Sequence, residues 1–115
     1  MIRLLIVDDE PTLLQLLRRY LERQGFAVEA CGTAEQALAA FDADPNGYSM
    51  VITDLTLPGA NGAELIEKLR VKNPVLPGII ASGYPYEPQL AGVGFLQKPF
   101  LPQMLAEQIA SALKR

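Results

Sequence analysis

A chain of 115 residues, half of them hydrophobic and a fifth charged, is read as one soluble globular domain over residues 1–115, with a real core but no room for two. Its net charge of -3, with no run of Lys and Arg, argues against direct nucleic-acid binding. A single cysteine, Cys31, excludes an internal disulfide, and the lack of histidine excludes Ser-His-Asp catalysis, His-ligated zinc and a phosphohistidine carrier.

Residues 2–7 form an apolar run broken only by Arg3, which reads as a first strand covered on both faces. The run is too short for a signal peptide, and no stretch reaches the roughly 18 apolar residues of a membrane span. A cytoplasmic domain without membrane contact is therefore expected. Pro11 is pre-set for a helix start, with Asp9 or Glu10 available as cap. Leu13, Leu14, Leu16, Leu17, Tyr20 and Leu21 recur at helical spacing, and Gly25 marks the stop. Residues 26–31 alternate as a short second strand. Thr33 and Glu35 open a second helix with Ala34, Ala37, Leu38 and Phe41 inward, ending at Asp44-Pro45-Asn46-Gly47.

Residues 48–53 are a third strand, and it delivers Asp54 to its end. A loop over 55–62 carries Pro58, Gly59, Asn61 and Gly62. The helix after it places Leu65, Ile66 and Leu69 on one side and stops at Asn73-Pro74. Residues 75–81 make a fourth strand, with Pro77 and Gly78 at its start, where a missing donor is tolerated. Residues 95–97 make a short fifth, and Pro102 opens a last helix with Leu105, Ile109, Ala112 and Leu113 inward. Strands alternating with helices build an α/β fold: a parallel sheet between two helical layers, joined by right-handed crossovers. Five strands favour the flavodoxin-like order 2-1-3-4-5, which sets the first and third strands side by side.

In that order the strand ends bring Asp8, Asp9 and Asp54 together, with Ser82 and Lys98 on the same rim. A like-charged pair at ~4 Å costs roughly 4 kcal/mol at an effective dielectric near 20, so such crowding asks for a cation. Hard oxygen ligands suit Mg²⁺ or Mn²⁺. Asp9 and Asp54 are the direct ligands in this reading, the backbone carbonyl of Thr56 a third, and Asp8 a partner through water. A carboxylate can accept a phosphoryl group when its three equatorial oxygens meet positive charge or donors. The metal, the Lys98 ammonium and the Ser82 hydroxyl fill those places, and Gly83 leaves the approach open. Each residue alone has a plainer reading: Asp8-Asp9 as a helix cap, Asp54 as a strand end, Ser82 as a loop hydroxyl, Lys98 as a solvated charge. All falling at successive strand ends is what those readings do not explain.

Asp8-Asp9, Asp54-Leu55-Thr56-Leu57-Pro58-Gly59 with Asn61-Gly62, Ser82-Gly83 and Lys98-Pro99-Phe100 together resemble the receiver domain of two-component response regulators, along the whole chain. The resemblance implies phosphorylation of Asp54 from a sensor histidine kinase or a histidine phosphotransfer protein, Mg²⁺ dependence, and slow self-catalysed hydrolysis. It implies a regulatory acceptor rather than a turnover enzyme, acting on a downstream effector domain or protein. It also implies a cis bond between Lys98 and Pro99, and a coupled switch of Ser82 and Phe95. The interval from Ser82 to Lys98 is short for the family, and Gly83, Pro85, Pro88, Gly92 and Gly94 disfavour helix there. The fourth helix is thus expected to be brief or irregular, as it often is in receivers attached to hybrid sensor kinases, and that likeness implies a phosphorelay role. The alternative is an interaction module on the same fold that works without phosphorylation. A metal-dependent phosphatase is disfavoured because Thr56 stands where a second acid would be needed.

Overall fold

The computed structural model describes residues 1–114. Its elements in chain order are β1 (Arg3–Val7), α1 (Pro11–Arg23), β2 (Ala27–Cys31), α2 (Ala34–Ala43), β3 (Met50–Asp54), β4 (Thr56–Leu57), β5 (Ala60–Asn61), α3 (Gly62–Lys72), β6 (Gly78–Ser82), β7 (Val93–Gln97) and α4 (Pro102–Leu113). The main sheet is parallel, in the order β2-β1-β3-β6-β7. With the small β4–β5 hairpin set aside, this is the expected 2-1-3-4-5 arrangement.

Both sheet faces are covered, which is why the central strands lack polar alternation. Leu5, Val7, Val51 and Ile80 pack beneath α2 and α3 with Phe41, Leu65, Ile66 and Leu69. Leu4, Ile6, Ile52 and Ile79 pack beneath α1 and α4 with Leu14, Leu17, Leu105 and Ile109. Burying each such side chain contributes about 1.5–3 kcal/mol, so these two layers hold the strand ends in place.

Local signals explain the element ends. Thr33 Oγ1 accepts from the Gln36 amide, and Asn61 Oδ1 accepts from the amides of Ala63 and Glu64, so α2 and α3 each start on a capping side chain. Gly25 has φ +97° and follows α1, where Phe26 N returns to the Leu21 carbonyl at 3.1 Å. Several expectations need correction. Glu10 occupies the cap position of α1 but its side chain makes no capping bond. Asp8 instead accepts from the Glu10 amide at 2.9 Å. Leu16 is 52% exposed, because the buried line on α1 runs through Leu14, Leu17 and Leu21, and Leu16 points away from it. Ile2 and residues 75–77 lie outside strands, and Val75 is 84% exposed. Pro74 and Pro77 lack donors there, and Leu76 closes a turn on the Asn73 carbonyl instead. Between β6 and β7, residues 83–92 are irregular, with no helix.

Candidate functional site

Register carries the acids together. Val7 lies opposite Thr53, so Asp8 and Asp54 leave neighbouring strands at the same level. Asp8, Asp9 and Asp54 each offer one carboxylate oxygen, and those three oxygens lie within 4.8 Å of one another. Asp8 is buried, Asp54 half-buried and Asp9 exposed. The Asp8 amide is anchored on the Cys31 carbonyl at 3.1 Å, and the Leu55 amide on the Ala81 carbonyl at 2.7 Å. Both carboxylates therefore ride on ladder bonds, not on free loops.

Lys98 enters from the end of β7, where its amide donates to the Ser82 carbonyl at 2.7 Å. The peptide bond between Lys98 and Pro99 is cis. The Lys98 ammonium donates to Asp8 Oδ2 at 2.9 Å and lies 3.3 Å from Asp54 Oδ2. It thus bridges the two acids. Burial works against the ammonium, but its hydrogen bond to Asp8 and its attraction to Asp8 and Asp54 outweigh this and hold its pKa above the ordinary value. For Asp54, burial pushes the pKa up, Lys98 opposes it, and the charges of Asp8 and Asp9 add to the rise.

Three carboxylates facing one ammonium leave excess negative charge in a half-buried place. The donors are all hard oxygens gathered at neighbouring strand ends, and that set fits a small divalent cation such as Mg²⁺. Thr56, which opens β4, lies on the loop leaving Asp54. Gly62 lets that loop close: a Cβ there would stand 2.2 Å from the Asp54 carbonyl oxygen, and its amide donates to the Leu55 carbonyl at 2.7 Å.

Ser82 ends β6 and is 2% exposed, and its Oγ accepts from the Tyr84 amide at 3.2 Å. Phe95 is half-buried, with its ring against Tyr86 at a centroid distance of 6.3 Å. The sequence reading missed two features. One is the β4–β5 hairpin, signalled by Pro58-Gly59 with Gly59 at φ +67°. The other is Tyr84, whose hydroxyl lies 3.1 Å from Thr56 Oγ1 and joins the hairpin to residues 83–92. No periodicity marks that tyrosine, since it stands between Gly83 and Pro85 in an irregular segment.

Comparison with known proteins adds a lineage to this geometry. Residues 4–110 match the family described as the response regulator receiver domain. The transcriptional regulatory protein ResD of Bacillus subtilis is 30% identical over 98% of this chain. The C4-dicarboxylate transport transcriptional regulatory protein DctD of Rhizobium meliloti is 32% identical over 93% of it. The chain spans 48% of the first and 24% of the second, so less than half the length of either relative. Among solved structures, the receiver domain of the hybrid histidine kinase CckA superposes with TM-score 0.89 at 30% identity, covering 97% of this chain and 99% of that one. A CheY-like receiver domain protein from Methanospirillum hungatei gives 0.87 at 32% identity, covering 98% and 94%.

Proposed function

Because the chain belongs to the response regulator receiver domain family, we propose that it accepts a phosphoryl group on Asp54 from a sensor histidine kinase or a histidine phosphotransfer protein. The single observation that carries the reading is the Lys98 ammonium bridging Asp8 and Asp54 beside Asp9. An Asp54 carboxylate oxygen attacks phosphorus as the bond to the donor imidazole nitrogen breaks, and that nitrogen keeps the electron pair. Little covalent help is required, so placement and charge decide the rate.

Lys98 favours the ionised, nucleophilic form of Asp54 and stands ready to pair with a phosphoryl oxygen as a compact point charge. Ser82 offers its hydroxyl to another oxygen once it turns from the Tyr84 amide. Mg²⁺ or Mn²⁺ would be held by Asp9, Asp54 and the Thr56 carbonyl, with Asp8 reached through water, and supplies neutralising charge for the transferred group. Movement of Ser82 toward the phosphoryl leaves room beneath it, and Phe95 follows as the second half of a switch read by an effector. Phe95 lacks a phenolic hydroxyl, so its two states differ by apolar burial, worth at most ~1.5–3 kcal/mol. The test is incubation with acetyl phosphate and Mg²⁺ followed by intact-mass measurement. One added phosphoryl group is expected, absent in Asp54→Asn and after chelation of the metal. No adduct, or one undiminished in Asp54→Asn, would overturn the reading.

A further inference from the structure

The edge strand β7 carries Phe95 and leads directly into Lys98, yet α4 covers only one of its faces. Phe95 pairs with Ile80, whose side chain belongs to the layer beneath α2 and α3. Gly94 pairs with Ile79, which lies in the layer beneath α4. The Phe95 ring and α4 are thus on opposite sides of the sheet, and the ring cannot push the helix directly.

The main chain offers another route. The Gly92 carbonyl accepts from the Gly78 amide, and the Lys98 amide donates to the Ser82 carbonyl, so even-numbered residues of this stretch turn their polar groups toward β6. Odd-numbered Phe95 turns its carbonyl to the free edge. There Gln108 Nε2 of α4 donates to it at 3.2 Å. Space for that amide exists because residue 94 is glycine: a Cβ would stand 2.9 Å from Gln108 Nε2. Among the described residues this is the one side-chain hydrogen bond from α4 to the sheet.

We propose that Gln108 is a positioning residue that ties the Phe95 carbonyl to α4, with Gly94 as the notch that admits it, so that displacement of Phe95 reaches the last helix through the backbone. The proposal rests on the phosphorylation reading of the preceding subsection. In place of a phenolic handle, this chain has a main-chain one.

The test compares wild type with Gln108→Met, which keeps length without a donor, Gln108→Glu, which faces the carbonyl with an acceptor, and Gly94→Ala, which fills the notch. Without phosphorylation, the Phe95 carbonyl ¹³C resonance is expected to shift in the same direction in all three. With acetyl phosphate and Mg²⁺, Asp54 uptake should stay within about twofold of wild type, while the amide shift response across α4 falls at least threefold. Gly94→Ala added to Gln108→Met should change little more. An unchanged carbonyl resonance in Gln108→Met, or a full α4 response without the donor, would overturn the proposal. Failure of uptake in wild type would instead strike the phosphorylation reading.

Discussion

The carboxylate of Asp54 is held where burial and two neighbouring acids disfavour its charge, and where Lys98 offsets them only in part. Its folded pKa lies above the ordinary 3.8, so the folded protein binds the proton more tightly than the unfolded chain does. Stability then falls as pH rises from about that ordinary value through the folded one, and the loss persists above it. Asp54→Asn is expected to raise the urea midpoint at pH 7, with the gain vanishing as pH drops below about 3.8. A variant no more stable than wild type at pH 7 would contradict this. Lys98 acts in the opposite sense. In Lys98→Met, the buried Asp8 loses its ammonium partner, at a cost of about 3–5 kcal/mol. Mg²⁺ should restore part of that loss in urea melts of the variant, because a dication can stand in for the missing charge. The strand-end placement of Asp8, Asp54, Ser82 and Lys98 is legible in the sequence, since each closes an apolar run. Tyr84 was not, because its partner Thr56 is reached through space from an irregular segment.

At the scale of elements, the loop leaving Asp54 is tightened into the β4–β5 hairpin and sealed by Gly62. Any side chain at 62 must push the Asp54 carbonyl or its own helix away. Gly62→Ala is expected to cost about 1–3 kcal/mol or somewhat more, and to slow phosphoryl uptake by moving Asp54. Urea midpoints and uptake rates check the two effects separately, and an unaffected variant would mean that the loop tolerates a looser seat. Strand ends were read less well than strand identities. Tyr48, expected to begin the third strand, lies outside β3 and is buried by stacking on Phe41 and beneath Arg3. Val75 looked like strand and is exposed, since prolines at 74 and 77 deny it a ladder. Hydrophobicity alone does not say which of these fates a residue meets. The irregular stretch over 83–92 was legible, because Gly and Pro act locally and no tertiary contact restores a helix they forbid.

For the whole molecule, sheet order is what converts scattered acids into a site. The continuous apolar runs of β1, β3 and β6 require cover on both faces, and that requirement leads to parallel strands with crossover helices. Once β1 and β3 are neighbours, Asp8 and Asp54 meet without any further device. The register that brings their oxygens together, and the 2.9 Å ion pair of Lys98 with Asp8, are tertiary facts that no window of sequence contains. The role assigned to the site can be read at a single residue. Borohydride reduces an aspartyl phosphate to homoserine, so protein incubated with acetyl phosphate and Mg²⁺, reduced and mapped by peptide mass spectrometry, reports where the phosphoryl group went. Homoserine at position 54 alone is the expected result; homoserine at position 8 or 9, or none at all, would contradict it.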